Sequence, residues 1–469
     1  MSFPTDLDSD PSLQAAFRAL GEANRATNTL YPGERSSRQP VHTVYGGAQL
    51  YKAETTRRLG ELAQRSMAAY ARDPAEFALG VGLTQPGLPG TPNPCTNTDP
   101  ALAEKVYLRV KKKLEAEAVE DFRVDFEDGF GARPDSEEDE VAIRAAGELA
   151  RGLKEGLLPP FIGIRIKSLG EEWKLRAART LKLFVETLVT QTGGMVPAGF
   201  VVTLPKVTNV EQPRLLVRLL EALERRHSLP EGTLKLELMV ETTQCLVGPD
   251  GKLALPLYLA ACEGRCVGAH LGTYDFTASC NITAAHQTML HPLCDLAKGM
   301  MMLAFAGTGV FLSDGATNVM PVGPHRGDNL TPAQLAQNRA SVHAAWQLSY
   351  RSIRHSLENG FYQGWDLHPA QLPVRYAACF AFFLEGFAPA AERLRNFVEK
   401  SAQATLVGDV FDDAATGQGL LNYFLRAKNS GAIDLEDVAQ TGLTLEEFGL
   451  RSFAKILAAR RARLANPGA

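Results

Sequence analysis

The chain is 469 residues long, and its 49 Lys and Arg against 53 Asp and Glu give a formal charge of −4. Hydrophobic residues make up 45% and charged residues 22%, which is a globular composition and excludes a disordered or fibrous chain. Near-neutral charge without a basic tract argues against a nucleic acid or an anionic membrane surface as a partner.

The termini and the cysteines give no sign of export. The polar amino terminus MSFPTDLDSDPS lacks a positively charged and apolar leader. The most apolar stretch, about residues 299–312, is shorter than the roughly 20 residues that a membrane span needs, and is predicted as a buried helix followed by a buried strand. Cys262 and Cys266 have no second pair or His at ligand spacing, so zinc is not expected. We expect a cytoplasmic protein with reduced thiols and no membrane partner.

Between residues 41 and 372, short apolar runs alternate with helical patterns that have charged outer faces. Most of the runs are near-continuous in apolar residues, as expected for strands covered on both faces. The predicted strands are 41–46, 122–127, 161–166, 199–207, 234–241, 267–272, 308–314 and 360–368. Eight strands alternating with helices predict an α/β fold, a (β/α)8 TIM barrel with a C-terminal helical extension. An open doubly wound sheet is the alternative, although no dinucleotide-type Gly-rich turn follows the first strand.

This pattern divides the chain into three parts: an N-terminal helical extension at 1–40, the catalytic barrel at 41–372 and a C-terminal helical region at 373–469. Residues 73–104 interrupt the alternation with a long Gly- and Pro-rich segment. Loops of this length are usually functional lids or disordered excursions, and both interpretations stay open. The C-terminal helices are expected to pack against the barrel mouth.

Acidic and basic residues stand where several predicted strands end, which is where catalytic groups project in such a barrel. The second strand ends with Glu127 and Asp128, the third contains Arg165, the fifth ends at Glu241, and the sixth is followed by Asp275. Carboxylates facing an arginine suggest a hard divalent cation, such as Mg²⁺, beside an anionic substrate. Structural interpretations stay open too: acids at strand ends also cap helices, and the arginine can serve a purely structural ion pair with either acid of the second strand.

Other polar residues near the strand ends have competing interpretations. Lys206 is a candidate for Schiff-base formation, but the presence of a carboxylate pair at metal-ligand spacing makes that chemistry less favoured. The general base is not identifiable; Asp366, His368 or a residue of a neighbouring subunit are the candidates. His368 is more simply a hydrogen-bonded residue at the barrel rim, and His270, inside an apolar strand, is predicted to be a core histidine.

Eight motifs occur in order over roughly residues 41–372. They are HTVYGGAQLYKAETTRRLGEL, VDFEDGFGAR, IGIRIKSLG, VTLPKV, LMVETTQ, HLGTYDFTAS, TGVFLSDGATNV and NGFYQGWDLHPAQL. Each is weak alone, but together they resemble the strands of the HpcH/HpaI aldolase and citrate lyase β-subunit superfamily, which includes the malyl-CoA lyases and is related to malate synthase. The segments 73–104 and 246–256 and the longer helical tail depart from the smaller lyases and indicate a larger subgroup.

The resemblance implies an enzyme that cleaves or forms a carbon–carbon bond through a metal-stabilised enolate. Its substrate would be a 2-keto or hydroxy acid, free or as a CoA thioester. The implied ligands of Mg²⁺, or alternatively Mn²⁺, are Glu241 and Asp275. Arg165 would face a substrate oxygen or carboxylate, and Asp128 and Glu127 would orient metal-bound water or the arginine.

The resemblance also implies a homo-oligomer in which the helical tail covers a neighbouring subunit's site. Two alternatives to the lyase remain. One is a malate synthase-like condensing acyltransferase, slightly favoured by the tyrosine that precedes Asp275. The other is a non-catalytic barrel that acts as an assembly partner.

Overall fold

The computed structural model describes residues 10–33, 35, 37–83, 99–403 and 414–465. The strands are β1 (His42–Gly47), β2 (Asp121–Asp125), β3 (Phe161–Arg165), β4 (Phe200–Leu204), β5 (Lys235–Val240), β6 (Cys266–Leu271), β7 (Phe311–Ser313) and β8 (Gly364–Asp366). The helices before β5 are α1 (Pro11–Leu30), α2 (Thr55–Tyr70), α3 (Pro74–Val81), α4 (Pro100–Glu117), α5 (Asp135–Glu155), α6 (Lys174–Thr192) and α7 (Glu211–Arg226). Those between β5 and β8 are α8 (Thr243–Leu246), α9 (Leu255–Ala261), α10 (Thr273–Ser279), α11 (Pro292–Phe305) and α12 (Pro332–Glu358). The last six are α13 (Leu372–Glu385), α14 (Phe387–Gln403), α15 (Ala414–Ser430), α16 (Leu435–Val438), α17 (Leu445–Gly449) and α18 (Phe453–Ala465).

The eight strands form one parallel sheet in the order β7-β6-β5-β4-β3-β2-β1-β8. A parallel bridge between Ser313 and Gln363 brings the β7 and β8 edges together. This order confirms the (β/α)8 barrel and excludes the doubly wound sheet, in which the strand order reverses at a switch point. Each strand lies within or beside its predicted run.

Some strands are apolar on their outer face and charged on their inner face. Phe122 and Val124 of β2 are buried beneath the surrounding helices, whereas Arg123 points inward and binds Glu237 of β5 across the barrel. The expectation that the strands are apolar on both faces is therefore wrong for β2 and β5. Charged side chains are tolerated inside the barrel because each finds an ionic or hydrogen-bonding partner there.

The barrel helices bury apolar faces against the strands, and α3, α5 and α6 end where glycine permits a left-handed backbone. In α6, Leu181, Phe184 and Leu188 are fully buried at helical spacing. The helix ends at Gly193, with φ of +69°, whose N–H caps the last carbonyls. These caps direct the chain into the next strand.

The interruption at residues 73–104 contains regular structure at both ends. The Asp73 carboxylate accepts from the Glu76 N–H and begins α3, and the Asp99 carboxylate accepts from the Ala101 N–H and begins α4. A single loop is therefore the wrong description. Residues 84–98 lie outside the described residues, so the lid and the disordered excursion both stay predictions.

The apolar stretch 299–312 covers the second half of α11 and the start of β7, which confirms a helix followed by a strand. The expected burial is wrong in part, because Met302 and Leu303 are 40% and 83% exposed and Phe311 and Leu312 are only partly buried. In the parts of the chain described above, no helix combines the length and the apolar character of a membrane span.

The C-terminal helices pack at the amino ends of the strands. Tyr376 of α13 donates a hydrogen bond to the Ala118 carbonyl just before β2, and Arg426 of α15 donates to the Gln39 side chain just before β1. The expected packing against the barrel mouth, where the strands end, is therefore wrong. The apolar face of α13 is buried against α4 and α12, which fixes this position.

Candidate active site

Seven charged side chains meet at the carboxyl ends of β2 to β6. We call this set the rim cluster: Asp125, Glu127, Asp128, Arg165, Lys206, Glu241 and Asp275. The first three follow from β2, the next three end or follow β3, β4 and β5, and the last lies in the first turn of α10 after β6. The five site residues predicted from the sequence are all members.

Arg165 is held by two parallel hydrogen bonds to Asp125. Its Nε lies 2.7 Å from Oδ1 and its Nη2 lies 2.6 Å from Oδ2. The same carboxylate accepts from the backbone N–H groups of Glu127 and Gly129, at 2.9 and 2.7 Å, and so fixes the turn after β2. Nη1 is left 3.2 Å from the Glu127 carboxylate. The guanidinium plane is thereby set, with one edge toward the other acids.

The guanidinium of Arg165 also lies over the ring of Tyr45, at 4.8 Å from its centroid. The Tyr45 hydroxyl is buried and has no hydrogen-bond partner in the described residues. This tyrosine on β1 forms part of the floor beneath the arginine, and the cation–π contact adds to the geometry that holds the guanidinium in place.

Lys206 links the carboxylates of three different loops. Its backbone has φ of +50°, and its N–H donates to Glu241 at 2.6 Å. Its ammonium pairs with Glu127, lies 3.0 Å from Asp128 and lies 3.7 Å from Asp275. Burial opposes the charged form, but the hydrogen bond that the ammonium donates to Glu127, together with the nearby acids, raises the pKa of Lys206 above its usual value. A positive charge is thus stabilised at the point where the acids converge.

Glu241 is buried, with 1% of its surface exposed, as is Asp125. Burial, and then the charge of Asp275, raise the pKa of Glu241 to about 8. Its carboxylate lies against the backbone of Gly272, where an added Cβ would meet Oε2 at 2.3 Å. Glycine at this position therefore makes the space for the carboxylate.

The rim cluster has more acid than base, because five carboxyl groups face one guanidinium and one ammonium. Burial raises the pKa of Glu127 to about 7 and also raises the pKa of Asp275. Burial makes these two carboxyl groups harder to ionise, and a bound cation would oppose that shift. The cluster is suited to take up further positive charge.

The donor set fits a hard divalent cation. Only carboxylate oxygens converge, and the Lys206 ammonium stands as a monovalent cation among them. No set of three or more His, Cys, Asp or Glu in the described part of the chain is arranged to hold a metal by itself. Mg²⁺ is typically bound by one or two carboxylates and keeps several waters, and the rim cluster offers such carboxylates.

Asp366 is not available as the general base. It is 2% exposed and pairs with Arg375 and with Nδ1 of His42 at 2.9 Å. Against the effect of burial, Arg375 and His42 lower the pKa of Asp366 to about 2. That candidate is therefore wrong, because the carboxylate is fully engaged in a structural pair.

The two histidines considered in the sequence analysis, His270 and His368, both make structural contacts. His270 is buried, with Nε2 at 2.9 Å from Glu237 and Nδ1 accepting from the indole of Trp365, which confirms the core assignment. His368 caps the turn after β8 by accepting from the Ala370 N–H. Burial lowers its pKa.

Two members of the site had no assigned role in the sequence interpretation, Asp125 and Tyr45. The signal for the first was present, since Asp121, Arg123 and Asp125 alternate along β2 and must share its inner face. The position of Tyr45 beneath the arginine could not be predicted, because it depends on how the barrel closes around β1.

Comparisons with known proteins were made for the family and for the fold. A family model described as a domain of unknown function, DUF6986, matches residues 20–456. A search of curated proteins gave no match.

Three solved structures are similar to the chain. A citrate lyase from Burkholderia xenovorans LB400 is 20% identical with a TM-score of 0.47, and the match covers 72% of this chain and 92% of that chain. The malate synthase of Haloferax volcanii in a magnesium/glyoxylate complex is 14% identical with a TM-score of 0.41, covering 91% and 98%. An HpcH/HpaI aldolase/citrate lyase family protein from Burkholderia cenocepacia J2315 is 13% identical with a TM-score of 0.33, covering 62% and 90%. These names agree with the superfamily that the motifs resemble, but the likeness is too distant to argue an activity.

Proposed function

Since the chain belongs to the DUF6986 family, whose description assigns no activity, we propose a function from the rim cluster: a Mg²⁺-dependent carbon–carbon lyase or aldolase. Its substrate is a 2-keto or hydroxy acid, free or as a CoA thioester. The observation that supports this is the excess of carboxylates over cations beside a fixed arginine at the catalytic end of a (β/α)8 barrel. The motif resemblance supports the reaction class.

In this proposal Glu241 and Asp275 hold the cation, with Mn²⁺ as a substitute for Mg²⁺. When bound, the ion would act as a Lewis acid toward negative charge that develops on a substrate oxygen. A bound metal ion would compete with Lys206 for the same carboxylates. The Lys206 ammonium lies 3.7 Å from Asp275, and the Lys206 backbone N–H donates to Glu241.

Arg165 binds the substrate carboxylate or carbonyl oxygen through Nη1, because Nε and Nη2 are committed to Asp125. A lysine in its place would lose both the fork to Asp125 and the fixed direction of the third nitrogen. Glu127, 3.2 Å from that nitrogen, has a pKa raised by burial to about 7, so it can exchange a proton near neutral pH. Asp128 is half-exposed and orients the Lys206 ammonium.

Metal binding is tested first by calorimetric titration with Mg²⁺ and Mn²⁺. We expect the full chain to bind one ion, and Glu241→Gln and Asp275→Asn to abolish that binding. Asp250→Asn, in an exposed turn after β5, is the control and should bind as the unaltered chain does. Unchanged binding by Glu241→Gln would contradict the proposed ligand set.

The reaction is tested by a screen of 2-keto acids, hydroxy acids and CoA thioesters, with and without Mg²⁺. Metal-dependent cleavage of a hydroxy acid or its thioester into two carbonyl fragments supports the lyase. Condensation of glyoxylate with an acyl-CoA would favour the condensing acyltransferase instead. Metal binding without turnover in any arm would favour the non-catalytic barrel.

A further inference from the structure

A large cavity lies at the amino ends of the strands, opposite the rim cluster. Its volume is about 840 Å³, which is in the range of roughly 300–1,000 Å³ typical of small-molecule sites. One wall comes from the segments that precede β1, β7 and β8, and the other from α13 and α15. Because the strands are parallel, these segments share the end of the barrel away from the rim. We call this space the basal cavity.

The wall formed by α15 is polar where an inward-facing helix is usually apolar. Gln418, Asn422, Arg426 and Asn429 recur at spacings of four, four and three residues, so they lie on one face of the helix, and all line the cavity. Within this row the Gln418 side chain is engaged, because it donates to the Asn422 side chain and accepts from the Phe453 N–H. The amide nitrogen of Asn422, Asn429 and Arg426 give this wall its polar character.

The charged side chains of the basal cavity are all cationic in its described lining, where Arg35, Arg426 and Arg451 occur and neither Asp nor Glu does. The guanidinium of Arg426 is stacked on the ring of Tyr362, with 3.9 Å between its central carbon and the ring centroid, and Nη1 donates to Gln39. These contacts place the guanidinium at the cavity wall. Three arginines around one space favour an anion inside it.

The remaining wall is aromatic and apolar. Phe305, Phe311, Phe383 and Tyr423 line the cavity together with Tyr362. An inorganic ion would leave most of this surface without a partner. A ligand with an apolar body and one charged end would contact both kinds of wall.

We propose that the basal cavity binds a small organic anion with a planar, apolar body, independently of the substrate at the rim cluster. The arginines pair with its carboxylate, phosphate or sulfonate group. The amides of α15 bind polar atoms along its edge, and the aromatic rings contact its body. This site does not depend on the proposed lyase activity.

The probe for the test is 8-anilinonaphthalene-1-sulfonate, an anion with a planar apolar body whose fluorescence rises on binding. We expect the full, folded chain to bind it saturably at one site. The neutral analogue N-phenyl-1-naphthylamine has the same body without the sulfonate. We expect it to bind about tenfold more weakly or worse, since a charge-assisted contact to arginine is lost.

Arginine variants locate that binding. Arg426→Gln and Arg451→Gln should each weaken binding of the sulfonate by about tenfold and leave binding of the neutral analogue unchanged. Arg461→Gln, an exposed arginine of α18 outside the cavity, is the matched control and should bind as the unaltered chain does. Equal affinity for both probes, or equal sulfonate affinity in all three variants, would overturn the proposal.

Filling the space gives a second test. Asn429→Trp should abolish binding of both probes while the thermal unfolding transition stays within a few degrees. Asp275→Asn, at the opposite end of the barrel, should leave sulfonate binding unchanged. A loss of sulfonate binding in Asp275→Asn would place the probe at the rim and overturn the basal site without bearing on the proposed function.

Discussion

Glu237 of β5 and Glu241, the residue that follows the strand, lie four residues apart and face the same interior, yet their environments are opposite. Glu237 accepts from Arg123 at 2.7 and 2.8 Å and lies 2.9 Å from His270. Despite its burial, Arg123 and His270 lower the pKa of Glu237 well below its usual value. Burial and Asp275 raise the pKa of Glu241 to about 8.

The difference separates a structural layer of charge from the layer that we propose to be functional. Glu237 is paired on both sides, by Arg123 and by His270, and we call the set around it the interior layer: Asp121, Arg123, Thr203, Glu237 and His270. Its second acid, Asp121, pairs with Arg123 but has a pKa raised by burial and by the charge of Glu237. Around Glu241, acids outnumber bases. A matched buried network has no capacity left for a ligand, whereas an acidic excess stores free energy that a bound cation releases.

Breaking the interior layer is expected to have the largest effect. Arg123→Met leaves Asp121 and Glu237 buried without their partner, which should lower the free energy of unfolding by about 3–5 kcal/mol. Denaturant-induced unfolding measures this. Arg218→Met, an exposed arginine on α7, should change it by less than about 1 kcal/mol. A value for Arg123→Met as small as that of Arg218→Met would contradict the structural role of the layer.

The pH dependence of stability tests the same contrast at Asp366, because the charge of this buried carboxylate is also compensated by basic partners. Its folded-state pKa is lowered to about 2 by Arg375 and His42, against burial. The stabilisation, about 2–3 kcal/mol, is therefore fully present above the unfolded-state pKa of about 4 and lost as the pH falls toward 2. The unaltered chain should exceed Asp366→Asn in stability by this amount at pH 6, and the two should converge near pH 2. A gap that stays constant down to pH 2 would contradict the assignment.

Gly272→Ala tests the rim without removing a charge. The new Cβ would meet the Glu241 carboxylate at 2.3 Å and displace it. Displacing a ligand in this way should weaken Mn²⁺ binding by about 10- to 100-fold, measured by calorimetry. Gly268→Ala on the same strand meets nothing closer than 3.5 Å and is the matched control. Equal affinities in the two variants would mean that the position of Glu241 does not matter for binding.

The smallest expected effect is that of Lys206→Met. The Lys206 ammonium forms partly exposed ion pairs with Glu127, Asp128 and Asp275. Without it these carboxylates are available to the metal ion, so Mn²⁺ should bind more tightly, by about fivefold at most. Weaker binding in Lys206→Met would show that the lysine assists the cation instead of competing with it.

Much of the barrel could be predicted from the sequence because most strands lie in near-continuous apolar runs between two helical patterns. The polar interior was missed, although Asp121, Arg123 and Asp125 alternate in β2, because the outward Phe122 and Val124 dominate the run. The start of α3 was also readable, since Asp73 followed by Pro74 is a typical helix beginning.

The rim residues could be proposed because they stand at strand ends, but their pairing could not. Arg165 forms its main ion pair with Asp125 because the register between β2 and β3 places these two residues side by side. That register cannot be read from the sequence. The apolar face of α13 predicts burial, yet nothing in its pattern says which end of the barrel it covers. The engagement of Asp366 by Arg375, nine residues later, depends on the turn that joins β8 to α13.

The interior layer also divides the axis of the barrel. Asp121, Arg123, Glu237 and His270 are each at most 3% exposed and span the space between the two ends. A solute passing along the axis would have to break these ion pairs. The anion proposed for the basal cavity and the cation proposed for the rim cluster would therefore reach their sites from opposite ends of the barrel, separated by a layer of buried ion pairs.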